Sequence, residues 1–179
     1  MDVLTPEQRR RCMQGNKSKG TKPELAMARL LWSCGIRYRK HPKDVKGTPD
    51  FCIKKYKLAI FVDGEFWHGR DWPEKKEKLK GNRDFWIAKI ERNIARDREV
   101  TAELVGCGWA VFRFWESDIR RHPGVCVRQV LQYMCQFMHL EIPDYLPSDY
   151  DLDIPEPTLQ AAEPAEVYGC LLYTSDAAD

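Results

Sequence analysis

Two short segments hold the side chains best suited to chemistry. Gly47-Thr48-Pro49-Asp50-Phe51 sets a carboxylate just ahead of an apolar residue, and Leu58-Ala59-Ile60-Phe61-Val62-Asp63-Gly64-Glu65-Phe66-Trp67-His68 runs from an apolar stretch into two acids and an imidazole. Carboxylate oxygens hold hard divalent cations, and a neutral imidazole beside a bound water can act as a base. Such a set suits metal-assisted hydrolysis of a phosphodiester.

These groups converge only if the two segments pair. Leu58 to Val62 is short and β-branched, bounded by the turn-like Lys54-Lys55-Tyr56-Lys57 and by Gly64, so it reads as a buried strand of a hairpin. Thr5-Pro6-Glu7-Gln8 offers a cap, a proline at the first helical position and a Gln at the third, which predicts a short helix to about Met13. A basic, glycine-punctuated loop (14–22) follows. Thr21-Lys22-Pro23-Glu24 then starts a second helix, with Leu25, Ala28, Leu31 and Trp32 as its apolar face and Gly35 as its end. Ile36 to Arg39 reads as a strand. Asp71 to Arg83 is too charged for core and reads as a basic flap. A long helix is predicted from about Asn82 or Arg83 to Val105, a strand over Trp109 to Trp115, and a last helix from Pro123 in which Val127, Val130, Leu131, Met134 and Met138 recur at helical spacing. No internal repeat is visible.

Charge is unevenly distributed. All 29 Lys and Arg precede residue 143, with 18 of the 27 Asp and Glu, so the body carries 29 − 18 = +11 and the remainder −9. A surplus of that size favours a polyanionic partner, nucleic acid above all. The reading divides the chain into a domain over 1–142 and an acidic, proline-rich tail over 143–179, expected to be disordered or loosely docked. Tyr168 to Asp179 breaks from the tail's pattern and is set aside as foreign to it. Seven scattered cysteines form no CxxC pair and fit a reduced, cytoplasmic protein. No apolar run approaches the roughly 18 to 20 residues of a membrane span, and Arg9-Arg10-Arg11 leads into a polar stretch rather than a secretory core.

Pro49-Asp50-Phe51, Phe66-Trp67-His68, the segment Phe85-Trp86-Ile87-Ala88-Lys89-Ile90-Glu91-Arg92-Asn93-Ile94-Ala95-Arg96-Asp97-Arg98, and Gly108-Trp109 with Trp115-Glu116 together resemble the very-short-patch-repair (Vsr) mismatch endonucleases, in order and spacing, from residue 5 to about 138. The resemblance implies an α/β fold with a restriction-endonuclease-like core, a central mixed sheet flanked by helices. It implies a magnesium-dependent enzyme, with two ions expected, that nicks one strand of double-stranded DNA near a T:G mismatch as a monomer and leaves 5′-phosphate and 3′-hydroxyl ends. The family's acid-base set maps onto Glu24, Asp50, Val62 or Asp63, His68 and Asp97. Asp50 and the Val62 carbonyl would hold metal, His68 would be the base, and Asp97 would fix its tautomer. Phe66 and Trp67, helped by Met13, would wedge between base pairs, where unstacking is cheapest at a mismatch. Lys17, Lys19, Lys78, Lys80 and Arg83, with Lys89 and Asn93 on the long helix, would contact DNA.

Two departures stand out. Where the family holds a structural zinc, this chain has Glu65, Arg70, Trp72 and Ser117, so no zinc is expected, and a Glu65–Arg70 ion pair with the Trp72 ring is expected to brace the loop instead. Asp63 stands where a histidine is usual and is expected as an additional metal ligand. His41, His122 and His139 have no motif context. Two other readings remain open: a homing or mobile-element nuclease acting on matched duplex, and a DNA-binding module with a dead site.

Overall fold

The computed structural model describes residues 5, 7, 8, 10, 11, 19–79 and 81–138. The expected contributions of Met13, Lys17, Lys80 and the acidic tail lie outside them. Thr5 and Gln8 make both bonds of the expected cap, Thr5 N to Gln8 Oε1 at 2.9 Å and Gln8 N to Thr5 Oγ1 at 3.2 Å.

Helix α1 (Lys22–Ser33) opens on the expected capping box at Thr21 and Glu24. Its buried face is Glu24, Met27, Ala28 and Leu31, the i, i+3, i+4, i+7 stripe of a helix. Leu25 and Trp32 fall off that stripe and are exposed, contrary to expectation. Trp32 instead lies against the Arg37 guanidinium, 3.8 Å from the ring centroid.

The sheet follows as β1 (Arg39–Lys40), β2 (Phe51–Ile53), β3 (Leu58–Asp63) and β4 (Ala110–Trp115), in that spatial order. β1, β2 and β3 pair antiparallel; β3 and β4 pair parallel. Parallel neighbours need a crossover, and it is made by α2 (Trp72–Glu77) and α3 (Arg83–Gly106). α4 (Glu116–Arg121) and α5 (Pro123–Met138) complete the order. The result is a mixed four-stranded sheet with helices on both faces.

Period-two alternation assigns the faces. Phe51, Ile53, Leu58, Ile60, Phe112 and Phe114 join Met27 and Leu31 of α1 and Val127 and Val130 of α5 in one core. Cys52, Ala59, Phe61 and Val111 join Val100 and Leu104 of α3 in a second, smaller core. By the same alternation Asp63 and Arg113 fall on the α3 side, toward the C-terminal ends of β3 and β4.

The basic flap contains a short helix. Pro73 at its start and the i,i+4 contact of Asp71 with Lys75 (3.6 Å) accompany the short helix α2. No described helix is long and apolar enough to cross a membrane.

Candidate active site

Pro49 is buried and has no N–H to give to a ladder, so pairing of β2 with β3 ends at Phe51–Ile60 and the chain before it turns away. The Val62 N–H, left without a strand partner on that side, donates to Asp50 Oδ2 at 2.7 Å. In an extended strand the N–H and C=O of one residue point the same way, so the Val62 carbonyl shares the edge on which Asp50 sits.

Glu24 reaches the same place from α1. Its carboxylate accepts from Gly20 N (2.8 Å) and Thr21 N (3.3 Å) and is buried. Between Glu24 and Asp50 stands His41, with Nε2 3.8 Å from Glu24 Oε2 and Nδ1 3.6 Å from Asp50 Oδ1. Among the described residues Glu24, His41 and Asp50 form a group whose ligand atoms all lie within 4.8 Å of one another. Burial, opposed by the Val62 bond and helped by the charges of Glu24 and Asp63, pushes the Asp50 carboxyl up to about 7. A carboxylate so crowded by others is relieved by a cation, and the oxygen-rich donor set fits a divalent one.

The second group lies on the α3 side. His68 Nδ1 is 2.6 Å from Asp97 Oδ2, one helical residue reaching across to the loop after β3. That contact puts the proton on Nδ1 and leaves Nε2 as the basic nitrogen. Burial alone would lower the His68 pKa, but the Asp97 hydrogen bond and the charges of Asp63 and Asp97 outweigh it, and the net shift is upward. Burial would raise Asp97; its bond to His68 and the Arg113 charge bring it below its usual value. The two groups are close enough to feel each other, since His68 and Asp63 both act on Asp50.

Asp63 does not stand where the sequence reading put it. Both of its oxygens face Arg113, from Nε to Oδ2 at 2.7 Å and from Nη2 to Oδ1 at 2.9 Å, and it lies outside the Glu24, His41, Asp50 group. An inward acid on a strand needs a counter-charge, and β4 supplies one. Arg113 also lies 3.3 Å from Asp97 Oδ1 and covers the Phe61 ring at 4.7 Å. Within its own helix Asp97 has Arg96 only at 4.0 Å. Arg113 and His41 were the residues missed. A lone cation in an otherwise apolar strand, diagonal to Asp63 in a register pairing Phe61 with Arg113, was the available signal for the first.

The expected Glu65–Arg70 brace is also corrected. Arg70 Nη1 donates to Ser117 Oγ (2.6 Å) and Asp118 Oδ1 (2.8 Å), while Glu65 Oε1 accepts from Ser117 N (2.6 Å). α4, unforeseen from sequence, puts Ser117 and Asp118 between the two loop residues, so each binds α4 rather than the other. Trp72 lies outside this network, its Nε1 3.5 Å from Glu91 Oε1. Arg70→Ala should therefore lower the unfolding free energy by about 1–3 kcal/mol, while a strong zinc chelator should leave the melting temperature of the wild type unchanged. A chelator-induced fall of several degrees that persists in Asp50→Asn would show that a metal holds this loop.

Phe66, Trp67, Phe85 and Trp86 form a chain of edge-on ring contacts with centroids 5.2 to 5.8 Å apart. Phe66 and Phe85 are exposed. Lys89 Nζ lies 5.1 Å from the Trp67 centroid and 5.5 Å from that of Trp86. Asn93, expected at DNA, gives Nδ2 to the Trp67 carbonyl at 3.0 Å, which holds the aromatic loop on α3. Lys19, Lys78 and Arg83 are exposed and carry no ion pair among the described contacts. A cleft of about 670 Å³ opens beside His68 and Asp97 and is also lined by Trp72, Arg98 and Trp115; Asp50 is not part of it.

Comparison with known proteins gives the same direction. The family profile "DNA mismatch endonuclease Vsr" matches residues 1–74. The chain is 61% identical over 132 residues to the type II nicking enzyme V.NmeDIP of Neisseria meningitidis serogroup C, covering 74% of this chain and 89% of that one. It is 55% identical over 124 residues to the type II nicking enzyme V.HpaIIP of Haemophilus parainfluenzae, covering 69% and 88%. The DNA mismatch endonuclease Vsr of Escherichia coli K12 is 32% identical over 119 residues, covering 66% and 76%.

Proposed function

The chain belongs to the Vsr family of DNA mismatch endonucleases and is a strand-nicking endonuclease, and from that premise we propose that it cuts one strand of double-stranded DNA beside a T:G mismatch, with magnesium, in very short patch repair. The observation that carries the reading is the His68–Asp97 contact at 2.6 Å next to the edge shared by Asp50 and Val62. A base with a fixed tautomer and a crowded carboxylate at the end of one strand are what a phosphodiester hydrolase requires.

In this reading His68 Nε2 takes the proton of the attacking water, and Asp97 stabilises the imidazolium that results. Water adds at phosphorus, the 3′ oxygen leaves, and the products carry a 5′-phosphate and a 3′-hydroxyl. Asp50 and the Val62 carbonyl would hold the divalent ion, which would supply positive charge against the phosphate and the leaving oxygen. Glu24, brought in by α1, would add a second carboxylate beside Asp50. Asp63 and Arg113 fix the imidazole from behind. Phe66 and Trp67 press into the stack beside the cut, supported by Trp86 and Lys89, while Lys19, Lys78 and Arg83 meet phosphates and set register.

Unstacking costs a few kcal/mol per step and less at a mispair. Phe66→Ala should therefore reduce nicking of a T:G duplex by roughly 10-fold or more, with a smaller effect on background nicking of matched DNA. A panel of matched and mismatched oligonucleotides, with and without magnesium, checks both points. Equal cutting of matched and T:G duplexes would defeat the repair assignment and leave the matched-duplex nuclease.

A further inference from the structure

His41 has no part in the chemistry above, yet it stands between Asp50 and Glu24. Its nitrogens are 3.6 and 3.8 Å from those two carboxylates, and neither contact is a hydrogen bond. A neutral imidazole has one N–H and one lone pair. At one of the two contacts, then, a lone pair faces a carboxyl oxygen, an arrangement that a cation shared by the nitrogen and the carboxylates makes favourable. Water offers limited relief, since the side chains of His41 and Asp50 are each 19% exposed and that of Glu24 is 8% exposed.

We propose that His41 is a nitrogen ligand of the Asp50 cation site, completing with Glu24 a mixed nitrogen–oxygen set that binds Mn2+ ahead of Mg2+. This rests on the cation-dependent reading of the site and names the ion class it prefers. The backbone fixes the ring's place: His41 is in the left-handed region at φ 44°, beside the β1–β2 pair, and its N–H is 3.4 Å from the Asp50 carbonyl. Ligand atoms all within 4.8 Å of one another suit a single ion with bonds of about 2.0–2.3 Å. Glu24 keeps lone pairs for the ion while two backbone N–H groups orient it, as outer contacts do for metal ligands. Imidazole suits first-row transition ions, whereas magnesium prefers oxygen and water. Tighter binding of Mn2+ still leaves Mg2+ usable where it is abundant.

The test uses the full chain without DNA, titrated with Mn2+ and followed by electron paramagnetic resonance. Bound Mn2+ should show nitrogen coupling from one imidazole. In His41→Gln the coupling should vanish and Mn2+ affinity should fall roughly 10-fold or more, with a smaller loss for Mg2+ measured by competition. Bound Mn2+ without nitrogen coupling in the wild type, or coupling that survives His41→Gln and is lost in His68→Gln, overturns the assignment while Asp50→Asn, by abolishing binding, keeps the nuclease reading. A chain that binds no divalent ion overturns both.

Discussion

Asp50→Ala lowers single-turnover nicking by at least ~10⁴-fold, the scale of removing a group on which the whole catalytic set depends. The expectation follows from position. Asp50 meets Val62 N at 2.7 Å, faces His41 and Glu24, and is pushed up to about 7 by burial and its acidic neighbours. DNA affinity should hold or rise, because one negative charge leaves the neighbourhood of the phosphate. Asp50→Asn keeps an acceptor for the Val62 N–H and separates chemistry from folding, and it should be as inactive as the alanine variant. Since the cation must displace a proton from a carboxyl near 7, apparent Mg2+ affinity should rise as pH rises through that value. Nicking within 10-fold of wild type in either variant, with duplex binding retained, removes Asp50 from the chemistry.

What could be read in the sequence was what local rules govern. Pro49-Asp50 and the run from Leu58 place a hairpin by β-propensity and turn residues, and Thr21 with Glu24 makes a capping box that can be recognised three residues at a time. The long helix ends at its glycines. Residues whose roles arise from tertiary pairing were harder. Asp63 could be assigned to metal only while Arg113, 50 residues away, was taken for an ordinary strand residue; once β3 and β4 lie parallel, the guanidinium claims it. His41 had no motif around it, and its meaning comes from two carboxylates delivered by α1 and the chain before β2. The Glu65–Arg70 pair failed for the same reason, since α4 was not foreseen and its Ser117 and Asp118 take both partners. Leu25 and Trp32 show the smaller error of counting apolar residues without following the stripe.

Asp97→Asn tests the other half of the site. Asp97 holds the proton on His68 Nδ1 from 2.6 Å, and an asparagine can present its amide N–H there instead, which favours the wrong tautomer and takes away the charge that supports the imidazolium. Nicking at the plateau should fall by about 10²–10⁴-fold. The pH profile carries the sign. His68 must be neutral to act as a base, and its raised pKa means that wild-type activity is lost as pH falls through a value above 6.5. Without Asp97 the burial penalty acts with less opposition, so the pKa drops and the acidic limb of the profile moves to lower pH even as the plateau sinks. Asp63, 3.5 Å from the same nitrogen, retains part of the upward pull, so Asp63→Asn with Asp97→Asn should move the limb further than Asp97→Asn alone. Because Arg113 then faces two neutral amides, Arg113→Met on that background restores the charge balance and checks that the fold persists. A limb that stays in place when the plateau falls would mean that His68 is not the group whose proton the reaction needs, and the base would have to be sought at His41 or in solvent.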